Sequence, residues 1–241
     1  TRTQSTRTSS VSWSKQFPNI GLSISTTANL AQSMRDSTIN LTLPDLNISL
    51  SRLYPFKRKK AVGKARWYEK ISMSYTGQLS NSIYGKEDRI LKSNFAKEWK
   101  HGFQHNIPVQ GNFTLFNYIN LSPSFNFTDR MYTNKVARSW DNAKSEERRD
   151  TLTGFYNIYN WSLNLSASTK IYGFWIPNKK LFGNKIQAIR HVVTPQITLS
   201  YSPNFGARRY GYHDSYQYTD ASGNVKLVEY SPFQEAMFSV P

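Results

Sequence analysis

Cysteine is absent from the 241 residues, which removes any disulfide framework, thiol nucleophile or zinc–thiolate site. Long apolar runs are missing as well. No stretch approaches the ~18–20 residues that a spanning helix needs, so a helical membrane protein is excluded. Acidic residues are scarce, 15 Asp and Glu against 31 Lys and Arg, which leaves a formal charge of +16 and a pI near 9.9. Histidine is confined to His101, His105, His191 and His213, too few and too scattered for a metal centre. No Gly-rich phosphate loop, nucleophile elbow, HExxH motif or Ser–His–acid set can be picked out, so neither an enzyme nor a cofactor is expected. Aromatic residues, by contrast, are abundant: 6 Trp, 15 Tyr and 14 Phe, far more than a disordered chain carries.

Periodicity of two dominates the chain and helical periodicity is nearly absent. From Trp67 the odd positions hold Trp67, Ile71, Met73, Tyr75 and Leu79, while the even ones hold Ser72, Ser74, Thr76, Gln78 and Ser80. Leu121, Phe125 and Phe127 alternate with Asn120, Ser122, Ser124, Asn126 and Thr128. Tyr159, Trp161, Leu163 and Leu165 alternate with Asn160, Ser162, Asn164, Ser166 and Ser168. Around Pro44-Asp45 the apolar parity slips from Ile39, Leu41 and Leu43 to Leu46, Ile48 and Leu50, as an inserted β-bulge residue would make it do. About eight strands result, many of ten to fifteen residues, against a usual five or six. Short connections at Phe17-Pro18-Asn19 and Asn117-Tyr118 predict a meander of hairpins, with longer charged connections at 85–100, 134–150 and 203–232.

The kind of polar residue separates two all-β readings. The fifteen alternate positions Ser72 to Ser80, Asn120 to Thr128 and Asn160 to Ser168 hold only Ser, Thr, Asn and Gln. A sheet surface facing bulk water normally carries charge, whereas an uncharged hydroxyl and amide wall suits the hydrated interior of a large membrane barrel. The expected fold is therefore an all-β, antiparallel up-and-down transmembrane β-barrel segment of about eight strands, belonging to a larger barrel. Ser72, Ser74, Thr76, Gln78, Asn120, Ser122, Ser124, Asn126, Asn160, Ser162, Asn164 and Ser166 are expected to face its lumen. Glu69, His105 and His191 fall on apolar parity and break the pattern.

Charge of this size points first to nucleic acid or another acidic polymer. Nucleic-acid binding, however, interleaves basic and aromatic residues on one surface. Here the aromatics crowd the strands and the bases crowd the connections. Arg52 to Arg66 carries +7 and Lys170 to Arg190 carries +5, both without an acid, so two segments match twelve of the sixteen net charges. Strict alternation of strands puts both on one side of the sheet. With short turns taken as periplasmic, Lys57, Arg58, Lys59, Lys60, Lys179, Lys180 and Lys185 are expected as periplasmic basic turns. They would contact anionic headgroups or phosphorylated glycolipid, or simply be solvated.

Several short runs resemble a known family. They are Leu43-Pro44-Asp45-Leu46, Ser51-Arg52-Leu53-Tyr54-Pro55-Phe56-Lys57-Arg58, Arg66-Trp67-Tyr68-Glu69-Lys70, His105-Asn106-Ile107-Pro108, Asn120-Leu121-Ser122-Pro123-Ser124-Phe125, Arg190-His191-Val192-Val193-Thr194-Pro195 and Tyr230-Ser231-Pro232-Phe233. In number and order they are similar to the barrel portion of the LptD family of lipopolysaccharide-assembly outer-membrane proteins, in its Bacteroidetes form. The resemblance implies a very large barrel in the cell outer membrane that receives lipopolysaccharide from a periplasmic Lpt bridge and delivers it to the outer leaflet. It also implies contact with outer-membrane lipids, a plug lipoprotein like LptE, and no chemistry in this chain. The lack of Cys departs from family members that carry disulfides. Residues 1–241 would form a single β-barrel segment, incomplete at both ends: the chain starts Thr1-Arg2-Thr3 without Met and closes on a Pro-bounded loop composition. Another large outer-membrane barrel (a receptor or porin-like pore) and a soluble β-sandwich binding an acidic polymer are the competing readings.

Overall fold

The computed structural model describes residues 6–60, 62–90, 92–176, 188–220 and 222–241. The alternating segments form β1 (Thr6–Phe17), β2 (Leu22–Ser33), β3 (Thr38–Leu53), β4 (Ile71–Lys86), β5 (Lys100–Gly111), β6 (Phe113–Leu115), β7 (Ile119–Asp141), β8 (Glu146–Thr169), β9 (Ile171–Trp175), β10 (Ile189–Val193), β11 (Gln196–Tyr201), β12 (Asp214–Thr219) and β13 (Val225–Tyr230). One nine-stranded sheet runs β1-β2-β3-β4-β5-β7-β8-β11, with β6 also paired to β7. Every pairing in it is antiparallel. The fold is thus all-β and up-and-down, with β1 and β11 at the two edges of an open arc. The β9–β10 pair prolongs the β8–β11 hairpin beyond a break at Lys170 and Thr194-Pro195.

Local sequence accounts for the turns. Gly21 (φ 64°) closes the β1–β2 hairpin, and Phe116 and Asn117 (φ 51° and 63°) close the turn before β7. The bulge expected near Pro44 is present: pairing to both β2 and β4 shifts by one residue between Thr42 and Asp45. Pro44 has no N–H to offer a ladder, and its carbonyl accepts from the Asn81 side chain at 3.3 Å.

Three connections differ from the sequence reading. Residues 134–150 are not a long loop. Their charges lie along β7 and β8, which extend as far as the four-residue turn 142–145. Mixed-sign charge along the two strands is compensated across them and beyond, through Arg138, Glu147, Arg149 and Glu235. In the 85–100 connection, β4 runs on to Lys86 and two single-turn helices follow, α1 (Glu87–Ile90) and α2 (Phe95–Glu98). Ile90 and Trp99 there pack on Ile83, Ile39 and Leu41. The 203–232 connection contains the β12–β13 hairpin and folds back over the sheet.

Among the described residues, the segment that follows β11 makes the larger of two buried clusters. Phe205, Tyr212 and Phe233 pack on Tyr132 of β7 and Ile158 of β8. Tyr132 stacks on Phe233 with ring centroids 5.5 Å apart, and its hydroxyl donates to the Phe238 carbonyl at 2.8 Å. The segment also finishes two ladders that run out of partners. Past the end of β11, the Tyr159 N–H donates to the Tyr212 hydroxyl at 3.0 Å, and that hydroxyl donates back to the Tyr159 carbonyl at 3.0 Å. Past the start of β5, the Val136 N–H donates to the Pro232 carbonyl at 2.8 Å and the Arg138 N–H to the Tyr230 hydroxyl at 2.9 Å. Unpaired backbone groups at a sheet edge are costly when dry and template aggregation when wet. Two tyrosine hydroxyls remove that liability.

Tyr212→Phe deletes one hydroxyl and leaves the ring packing intact. Amide exchange at Tyr159 is expected to rise about tenfold, the worth of roughly one hydrogen bond, while the Arg138 amide is unchanged. Exchange at Tyr159 that stays at the wild-type rate would refute the edge-capping role.

Candidate functional site

Direct cross-strand partners project from the same face of a sheet, so the pairing registers settle which side chains share a surface. One row reads Gln16, Ser23, Ser49, Thr76, Asn106, Thr128 and Asn160 across seven strands. A second reads Ser72, Gln110, Ser124, Asn164 and Ser200. Ser122 faces Ser166 and Thr198, Asn120 faces Ser168 and Gln196, and Asn126 faces Ser162. Gln78 lies between Asn47 and Gln104, and Ser74 shares its parity on β4. All twelve hydroxyl and amide residues singled out from the sequence therefore lie on one face, and the wall they form extends beyond them into β1, β2, β3 and β11. Its groups bond to one another: Thr128 Oγ1 donates to Asn106 Oδ1 at 3.3 Å, and Gln196 Nε2 to Ser166 Oγ at 2.9 Å.

The opposite face carries Met73, Val109, Phe125, Leu163 and Tyr201 in one row, and Leu46, Leu79, Phe103 and Met131 in another. It is not covered. Leu163 is 46% exposed, Leu199 67% and Ile197 76%. An apolar area of this extent does not stand in water unaided.

A cation that parity should have flagged sits on the polar face. Arg130 continues the even series of β7 one step past Thr128. Its guanidinium donates to Gln104 Oε1 at 3.1 Å and Asn160 Oδ1 at 2.6 Å. Neutral amides hold it, and among the described residues it has no ion pair.

On the apolar face His105 is opposite both Gly77 and Asp129. A Cβ on Gly77 would sit 2.5 Å from the Tyr75 hydroxyl. The missing side chain is what lets the Tyr75 ring lie across the strand, its Oη 2.8 Å from His105 Nδ1. Asp129 in turn accepts from the Asn157 amide at 2.7 Å. His105 and Asp129, the polar groups at the centre of this face, thus each have a protein partner, while Lys15 of β1, on the same row, lies over the Phe17 ring.

Both basic segments leave the sheet from the edge that holds the 18–21 and 116–118 turns. Lys57, Arg58, Lys59 and Lys60 lie in the β3–β4 connection; Lys179, Lys180 and Lys185 lie outside the described residues. Arg58 differs from its neighbours. Its Nε donates to Glu69 Oε1 at 2.6 Å and its Nη2 to Glu69 Oε2 at 3.1 Å, while the Arg66 N–H donates to the same carboxylate at 2.6 Å. Glu69 sits in the 3-10 turn Trp67–Lys70, buried, and so does not project from the apolar face of β4. The Arg58 side chain, foremost, and the Arg66 N–H pull its pKa down to about 2. Glu69 therefore ties the Arg58 side chain to the Arg66 backbone, while Lys57, Lys59 and Lys60 stay exposed.

A depressed carboxylate pKa contributes order that is complete above the unfolded value of 4.5 and is lost as pH falls toward about 2. In an NMR titration of the detergent-solubilised protein, the Arg58 and Arg66 amide signals should move together with a midpoint near about 2. A midpoint near 4.5 would mean the pair does not form.

A family model described as LptD protein matches residues 1–241. No curated protein and no solved structure matches the chain. With a match over every residue, on an up-and-down sheet that is polar on one face and apolar on the other, the chain belongs to the LptD family.

Proposed function

We propose that residues 1–241 are one arc of a larger outer-membrane barrel, a single β-barrel segment continued on both sides, through which lipopolysaccharide is inserted into the outer leaflet. Membership in the LptD family carries the general role, lipopolysaccharide transport and assembly at the outer membrane. The observation that carries the finer reading is the unbroken row of hydroxyls and amides, Gln16 to Asn160, backed by an exposed apolar face. In this reading Ser72, Thr76, Asn126 and their row-mates line the lumen. Such groups exchange hydrogen bonds with passing sugars without holding them ionically, which favours transit over tight binding.

The apolar face then meets the bilayer, and the rim bearing Lys57, Lys59 and Lys60 lies in the periplasm, where it would draw phosphorylated saccharide arriving from a periplasmic Lpt bridge. A plug lipoprotein like LptE would lie against the polar wall. Exposure of the apolar row argues against a soluble sandwich, whose sheet buries that face. Transport energy has to be supplied from elsewhere.

Two outcomes test this reading. Depletion in the native host should lower surface lipopolysaccharide, and an unchanged surface would reject the assignment. Leu163→Arg should impair membrane assembly, at about 2–4 kcal/mol for a basic residue at the bilayer midplane, while Asn164→Arg should assemble normally. Equal assembly yields from the two variants would contradict the assignment of faces.

A further inference from the structure

At the lower end of the apolar face the sheet is hollowed. A cavity of about 570 Å³ is lined by Trp67, Ile71, Phe113, Phe125, Leu165 and Leu199, among others. Gly111 helps to shape it: a Cβ there would sit 2.7 Å from the Phe113 ring, so its absence lets that ring lie down against the strand. Trp67 and Phe113, with ring centroids 6.5 Å apart, separate this hollow from a second one that shares both residues and is bounded by Lys70, Ala65 and Leu115. An apolar slot therefore opens past an aromatic pair onto a lysine.

The charge at that mouth has one sign. Lys64, Arg66 and Lys70 are exposed, and none has an ion pair among the described residues. The nearest acid, Glu69, is turned inward and fully engaged by Arg58 and the Arg66 N–H. The bidentate pair strips the mouth of negative charge and leaves Lys70 available, together with the Arg66 guanidinium, whose one hydrogen bond goes to the neutral Tyr68 hydroxyl at 2.9 Å. Trp67 beside them is the amphipathic ring that favours the membrane–water interface.

We propose that this slot is a seat for one anionic phospholipid, with an acyl chain against Phe113, Phe125 and Leu199 and the phosphate against Lys70 and Arg66. A volume of this order is that of a small-molecule pocket, and apolar lining with a cation at one end matches a lipid chain and its headgroup. The occupant is bilayer phospholipid rather than the transported glycolipid because the slot opens on the face opposite the hydroxyl wall. The inference rests on the reading that the apolar face lies in the bilayer. It adds a selective lipid site at the periplasmic rim, where bound lipid would brace the β4–β8 part of the arc.

The test uses the full-length protein in phosphatidylcholine nanodiscs doped with either phosphatidylglycerol or phosphatidylcholine brominated on the acyl chains. Quenching assigned to Trp67 is the difference between wild type and Trp67→Phe. Brominated phosphatidylglycerol should be enriched at Trp67 about fivefold for each contacting basic residue at low salt, and the preference should shrink as salt is raised. Arg66→Gln/Lys70→Gln should abolish the preference while leaving residual quenching by both lipids. Equal quenching by the two lipids in the wild type would overturn the site and leave the bilayer reading standing. Absence of quenching by either lipid would overturn both, because the apolar face would then not be in the bilayer.

Discussion

The backbone ladder of an antiparallel sheet fixes side-chain facing without any freedom to adjust: residues paired across strands must point the same way, and their neighbours the other. Across β1 to β8 and β11 this one constraint sorts a mildly hydrophilic sequence into two surfaces of opposite character. A slip of one residue in any strand would exchange its Leu, Phe and Trp for Ser and Asn. Three register shifts interrupt the pairing, two within β3 and one in β8. At Pro44 the extra residue lets Leu41 and Leu46, of opposite sequence parity, stay on one surface. Between the Tyr132–Tyr156 and Asn134–Thr153 pairs another shift accompanies β7 and β8 as they run beyond β5.

Electrostatics follows from that sorting. The +16 net charge is largely kept off the hydroxyl wall, which carries Arg130 and the acid Asp45, and off the apolar face, where Arg7 and Lys15 of β1 and Asp129 are the exceptions. It collects in connections and in the projecting ends of β7 and β8. Glu69 is instructive because it is one acid among many bases. Spent on Arg58, it organises a loop; left free, it would neutralise the rim next to Trp67. Members of the LptD family act in lipopolysaccharide transport and assembly, and a rim of unneutralised cations beside an apolar surface suits a protein that handles phosphorylated amphiphiles.

Much of this was legible in the sequence, because alternation, turn residues and bulges are local. The strand set, the Pro44 slip and the common face of Ser72, Asn126 and Asn164 all come from spacing alone. The 203–241 segment did not, since its contacts are distant: Tyr132 meets Phe233, and Tyr159 meets Tyr212. With Pro203, Gly206, Gly211 and Pro232 it reads as loop, and nothing local says that its aromatics turn back onto the sheet. Residues 134–150 misled for another reason. Charge density there imitates a solvated connection, while the opposite signs in fact pair along β8 and, through Arg138 and Glu147, across to β7. Arg130 was readable from parity but lay one step past the uncharged run that drew attention.

In the proposed arrangement adjacent residues on one strand meet different molecules, Asn126 the transported glycolipid and Phe125 the bilayer. Site-specific photocrosslinking in the native host, with benzoylphenylalanine at one position or the other, measures this directly. A lipopolysaccharide adduct is expected from position 126 and phospholipid adducts alone from position 125. Lipopolysaccharide captured equally from both positions, or from 125 only, would contradict it.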